Sequence, residues 1–275
     1  MNKLLIAILS LLPFSAFAQS DDFGMDFSVG AEKKICKGVE FSLEGNARTQ
    51  DNTSAIERWG IGGEFGFKLL KTKTFDLKAS AGWEFLWQRN LAECKEHITE
   101  ESYHTPDGDI IETYKDGYNR TLGYWRPRHR TTISVSGTYH PNKRWTFSLK
   151  EAVQYSHYAG VTRTTERYRL EDEDDPESLH RIGDKVKEMQ PKDRVVLRSK
   201  AAAQYDIKHS PFSPFASADY GCGLNYTVDK WKFTIGTDYK INKKNKFSVF
   251  YRFQTENDDD EPNGHILGLG YSIKL

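Results

Sequence analysis

The sequence predicts an all-β chain closed into a single antiparallel transmembrane barrel of about 12 strands, with about 10 as the alternative. Three observations predict it: an export leader at the N-terminus, period-2 alternation of apolar and polar residues to the last residue, and connections that switch between short basic turns and long polar loops.

The leader comes first. Lys3 precedes an apolar run from Leu4 to Leu12, and the small-residue site Ala16-Phe17-Ala18 follows, the layout of a cleaved secretory signal peptide. Cleavage before Gln19 divides the chain into a signal peptide at 1–18 and a barrel domain at 19–275. A retained anchor helix is the poorer reading, because the run contains Pro13 and is short for a bilayer span. No later run approaches the roughly 20 apolar residues of a membrane helix, so any spanning falls to strands.

Composition narrows the class. The 39 basic and 39 acidic residues lose only Lys3 with the leader, and this balance argues against a polyanionic partner. Neither a Gly-rich phosphate loop nor a basic-aromatic nucleic-acid patch occurs. A mean hydropathy of −0.69 is low for a soluble core of this size, yet 13% of residues are aromatic and regularly placed, which suits an oily outside around a polar inside. Cys36, Cys94 and Cys222 are widely spaced, without a Cys-x-x-Cys pair. They predict no zinc site and leave at least one thiol over, with the pairing open.

The strands follow in order. Met25, Phe27, Val29 and Ala31 alternate with Asp26, Ser28, Gly30 and Glu32; Val39, Phe41 and Leu43 alternate with Glu40, Ser42 and Glu44. Phe75 to Trp87, Trp231 to Ile241 and Leu267 to Leu275 repeat the pattern, and similar segments occupy about 58–69, 128–139, 145–156, 194–207, 212–220 and 247–254. Each is about the 9 to 11 residues that a tilted strand needs to cross a bilayer. A soluble sandwich also alternates, but here charges of both signs line the polar face along whole strands. Trp59, Trp87, Trp125, Trp145 and Trp231 lie near strand ends, as expected of aromatic girdles at the membrane interfaces.

The connections give the orientation. Short basic ones fall around Lys33-Lys34 and at about 71–74, 140–144, 208–211 and 242–246; long, often acidic ones fall at about 88–123, 157–193, 221–230 and 256–264. Short turns belong to the periplasm and long loops to the exterior. Eleven strands can be counted, and a bacterial barrel with both termini in the periplasm requires an even number, so the expectation moves to twelve.

The opening strand ending in Glu32-Lys33-Lys34, the next strand with Glu44 and Arg48, the segment Phe247-Ser-Val-Phe-Tyr-Arg-Phe253 and the closing Gly268-Leu-Gly-Tyr-Ser-Ile-Lys-Leu275 together resemble a family of Gram-negative outer-membrane barrels known as domain of unknown function 2490. The resemblance covers most of the mature chain. It implies an outer-membrane barrel in contact with lipid and supplies no catalytic residue or cofactor to carry over. The last segment also looks like the terminal signal read by the barrel assembly machinery, although that signal usually ends in an aromatic residue and Leu275 stands here instead.

Inside such a barrel the charged row comprises Glu40, Glu44, Arg48, Arg58, Glu64, Lys68, Lys78, Glu84, Arg128, Arg130, Lys150, Arg194, Arg198, Lys200, Asp219, Asp238, Lys240 and Arg252. Basic residues outnumber acidic ones, so the expectation is a narrow passive channel for small polar or anionic solutes. The competing expectation is a non-conducting barrel braced by ion pairs and acting through its acidic loops; either way the barrel is expected to be a monomer. The tracts Glu171-Asp172-Glu173-Asp174-Asp175 and Asp258-Asp259-Asp260 lack calcium-loop spacing and read as solvated loop. A lipid-acting enzyme ranks third: Ser156 and His157 are an adjacent nucleophile and base near a strand end, and neighbours on a strand face opposite ways.

Overall fold

The computed structural model describes residues 22–105, 108–171, 176–224, 228–256 and 263–275. The expected leader and the acidic residues 172–175 and 258–260 lie outside them. Eleven strands form one closed barrel. Four are β1 (Asp22–Cys36), β2 (Val39–Gln50), β3 (Ala55–Lys71) and β4 (Phe75–Asn90). After two strands outside the barrel, β5 (Glu93–Thr105) and β6 (Gly108–Thr121), come β7 (Tyr124–Tyr139) and β8 (Trp145–Tyr158). A second excursion, β9 (Val161–Arg169) and β10 (His180–Met189), precedes β11 (Lys192–Tyr205), β12 (Phe212–Gly223), β13 (Val228–Lys240), β14 (Asn245–Glu256) and β15 (Gly264–Lys274).

The apolar rows face outward. Val29 is 62% exposed and Ile133 63%, whereas the buried apolar side chains among the described residues are only Leu86, Tyr158, Cys222 and Ile266. A soluble sandwich would bury those rows between its sheets. This chain turns them away from its interior, which holds charged and amide side chains instead.

Two expectations are corrected. The barrel has eleven strands, neither twelve nor ten, and it is not wholly antiparallel, because β1 and β15 pair in parallel from Asp22↔Gly264 to Glu32↔Lys274. An odd count forces this: antiparallel neighbours alternate in direction, so the first and last of eleven strands run the same way. Parallel pairing is slightly weaker per residue, but closure removes both free edges. A further consequence is that Asp22 starts at the long-loop end, opposite Leu275.

The second surprise lies in the long connections. The hairpins β5–β6 and β9–β10 join into a four-stranded sheet outside the barrel, ordered β10-β9-β6-β5. The weld is an antiparallel ladder from Gly117↔Arg169 to Thr121↔Thr165, with Tyr118 stacked on Tyr168 at 4.7 Å.

The opposite end is made of tight turns built by local chemistry. Asn142 Oδ1 accepts the backbone N–H groups of Arg144 and Trp145 at 2.9 and 3.0 Å, and Asn242 Oδ1 accepts those of Lys244 and Asn245, both at 2.8 Å. Such Asx turns reverse the chain in a few residues.

Candidate functional site

The lumen is where the sequence concentrates its charge, and strand order decides which charges meet. Glu40 on β2 pairs with Lys78 on β4 and, at 3.4 Å, with Lys68 on β3. Glu84 accepts from Arg130 at 3.1 Å and from Asn46 at 2.9 Å, and Lys150 approaches Glu64 at 3.6 Å. Arg198 pairs with Asp219, and Asp238 accepts from Lys246 at 3.1 Å and Gln204 at 3.0 Å. Arg194 stands opposite Ser156 in the β8–β11 ladder. Lys240 lies at the short-turn end, bonded to Asp206 at 2.8 Å.

The long-loop half of the lumen is filled. Arg48 is 3% exposed, Glu57 1%, Leu86 1%, Tyr158 2% and Gln254 1%. Arg48 donates to Asp26 at 2.9 Å and lies 3.7 Å from Glu57, which also pairs with Arg58 at 3.6 Å. Across the layer, the Arg128 guanidinium sits over the Tyr158 ring at 4.5 Å and donates to Ser156 Oγ at 3.1 Å. Beside Arg48 and Glu57 remains a void of about 10 Å³, room for one water and no hydrated ion. The other half is hollow. A chamber of ≈ 410 Å³ reaches from Thr146, Lys246 and Ser272 at the short-turn end to Glu44 and Lys200 at mid-lumen. A second, of ≈ 470 Å³, begins at the same two residues and extends past Glu64, Glu84 and Arg130.

Sequence reasoning missed Asp26, Glu57 and Lys246. Asp26 and Lys246 sit in the alternating rows and were legible. Glu57 was not: the β2–β3 register shifts between Arg48 and Thr49, and the bulge turns Glu57 and Arg58 inward together.

On the outer wall, Trp59 stacks on Trp87 at 6.3 Å, Trp231 meets Tyr220 at 4.7 Å and Arg89 lies over Trp125 at 5.9 Å, all at the long-loop end. Trp145 stands at the other end against Tyr205 at 4.9 Å. Ser156 and His157 face opposite ways, Ser156 toward Arg128 inside and His157 toward Asp193 outside at 2.7 Å. Cys36, Cys94 and Cys222 are all free thiols, Cys222 buried and the others exposed.

The side chain of Arg126 helps to tie the external sheet to the barrel rim. Arg126 donates to the carbonyls of Ala159 at 2.9 Å and Gln190 at 3.1 Å, the two ends of the β9–β10 excursion, and covers the Tyr158 ring at 5.3 Å. Within the sheet, burial works against the charge of Asp116, but hydrogen bonds from His97 and Thr99 prevail and hold its carboxyl below the usual range.

These features define a closed β-barrel, filled at one end and hollow at the other, that carries a small sheet on the filled end. The chain belongs to the family described as "Protein of unknown function (DUF2490)", whose model matches residues 107–265. Among solved structures it is similar to the β domain of the Bordetella autotransporter BrkA, with 12% identity, a TM-score of 0.41, and 86% of this chain and 82% of that one covered. It is also similar to the CymD monoaromatic hydrocarbon channel, with 9% identity, a TM-score of 0.31, and 85% and 82% covered. A comparison with curated proteins gave no match.

Proposed function

We propose that the protein is an integral outer-membrane barrel, exported by its leader, that does not form an open pore and acts outside the cell through its four-stranded sheet. The outward apolar rows support contact with lipid, and the short turns and long connections support a periplasmic and an exterior end respectively. The observation that carries the functional reading is the coincidence of the sheet with the filled end of the lumen. The same end that blocks passage invests two long hairpins in a folded surface, tied down by Arg126. Assembly would proceed through the closing strand β15, read by the barrel assembly machinery.

The native thiols test this orientation. Cys94 lies exposed in β5 and Cys36 exposed at the short-turn end of β1. A membrane-impermeant maleimide should label the Cys36→Ser variant on intact Gram-negative cells, through Cys94, and label Cys94→Ser only after the outer membrane is permeabilised. Labelling in the reverse order would overturn the reading.

A second reading, a gated channel for small anions, is favoured by Lys200, a lumen cation without an ion pair among the described residues that lines both chambers. It requires the layer of Arg48, Glu57, Leu86 and Tyr158 to move aside.

A further inference from the structure

Two lumen charges stand apart from the rest. Glu40, Glu64, Glu84, Asp219 and Asp238 each have a cationic partner within 4.0 Å. Glu44 and Lys200 have neither an ion pair nor a hydrogen bond among the described residues, and both are exposed to the space that their chambers enclose. They are also the two charged residues that line both chambers, so they mark the level where the hollow half divides.

The strand order sets them on opposite walls. From β2, five steps round the barrel one way or six the other reach β11. Each wall reinforces its own sign. Glu44 feels Glu84, Asp26 and Glu64, with Arg252 as the opposing charge, whereas Lys200 feels Arg252, Arg198 and Lys150, with Asp219 opposing. The neighbouring charges are taken up in pairs of their own, and Arg252 and Asp219 offset the repulsion only in part, so in an empty site Glu44 and Lys200 each lack a partner that replaces bulk water. A solute carrying both signs would relieve both walls at once. Its carboxylate would take the ammonium of Lys200 and its amine the carboxylate of Glu44, each as a charge-assisted hydrogen bond. A monovalent anion or cation would satisfy one wall only.

We propose that this level of the lumen is a binding site for small zwitterions of the amino-acid class, entered from the short-turn end. The chamber of ≈ 410 Å³ below it admits a molecule of that size. The site does not depend on whether the barrel conducts, so a failure here and a failure of the proposed function show up in separate measurements.

The test is calorimetry and saturation-transfer NMR on the refolded full chain in detergent, at low salt. The probes are glycine, β-alanine and 6-aminohexanoate, which step the separation of the two charges, with propionate and methylamine as single-charge controls. Saturable binding is expected from at least one zwitterion, and roughly tenfold weaker or no binding from both controls. Glu44→Gln and Lys200→Met should each weaken the zwitterion by roughly tenfold or more. Retention of the heat-modifiable electrophoretic shift shows that each variant has folded. If either variant fails to fold, Glu44→Asp and Lys200→Arg take its place, and a changed preference along the probe series is expected. No saturable binding by any zwitterion, propionate binding as tightly as the zwitterions, or folded variants binding like the wild type would each overturn the site.

Discussion

The Asp26 carboxylate of β1 receives the Arg252 guanidinium of β14 at 3.1 Å, although 226 residues separate them along the chain. The bond reaches over β15, where Ile266 stands opposite Arg252 and Gly268 opposite Asp26. The same oxygen of Asp26 accepts Arg48 from β2 at 2.9 Å, so one carboxylate ties together the strands flanking the parallel seam. Removing it leaves two guanidinium groups facing each other in a poorly hydrated layer. Asp26→Asn should therefore lower stability by about 2 kcal/mol, read from urea unfolding in lipid vesicles. An unchanged midpoint would show that the seam does not use the carboxylate.

The seam begins at Gly264, where φ is +144° and a Cβ would lie 2.0 Å from the Asp22 carbonyl oxygen. No L side chain fits there without moving β1. Gly264→Ala should cost about 2 kcal/mol or more and reduce the folded fraction on refolding. Gly270→Ala is the control, since the nearest atom to its Cβ would be the Ser28 hydroxyl at 3.1 Å. Equal behaviour of the two variants would contradict the parallel register.

Much of this fold was legible in the sequence, and the limits are physical. Rows such as Phe27-Val29 and Phe233-Ile235 announce their strands because one face meets an apolar medium and the other a polar lumen. The eleven strands could be counted for the same reason, and a parity rule that presumes antiparallel closure then displaced the count. The parallel pairing of β1 with β15 is a non-local register that neither strand encodes alone. β5, β6, β9 and β10 escaped notice because they stand outside the barrel wall, where neither face needs a continuous apolar row; Val186 in β10 is 62% exposed among charged neighbours. The charged lumen residues were identifiable one by one, but which of them meet depends on strand order. That Glu44 and Lys200 are left over is visible only once the others have paired.

Glu151 breaks the outward apolar row of β8. It lies between Leu149 and Val153, which are 53% and 48% exposed, and its one hydrogen bond among the described residues comes from the Ser199 hydroxyl at 2.5 Å. A carboxyl group facing lipid near mid-strand is unfavourable. Glu151→Leu should raise stability by about 1 kcal/mol in vesicle unfolding experiments. Destabilisation would show that this face does not meet lipid.

Asp206 lies in the turn between β11 and β12, where hydrogen bonds from Lys240 and then Ser213 hold its carboxyl below the ordinary value of 3.8. A depressed folded-state value means that its stabilisation is complete above about pH 4 and is lost as pH falls through the lower folded value. The group is half exposed, so screening keeps the effect under about 1 kcal/mol. Asp206→Asn should unfold more readily than the wild type at pH 6 and converge with it near pH 2 to 3. A gap of constant size across that range would assign the effect to something other than the charge.

Conductance of the refolded protein across a planar bilayer tests the filled outer half most directly. The wild type should stay electrically silent, and a variant that removes the two bulky apolar side chains of the layer, Leu86→Gly with Tyr158→Gly, should pass small ions. A steady open-state current from the wild type would contradict the account.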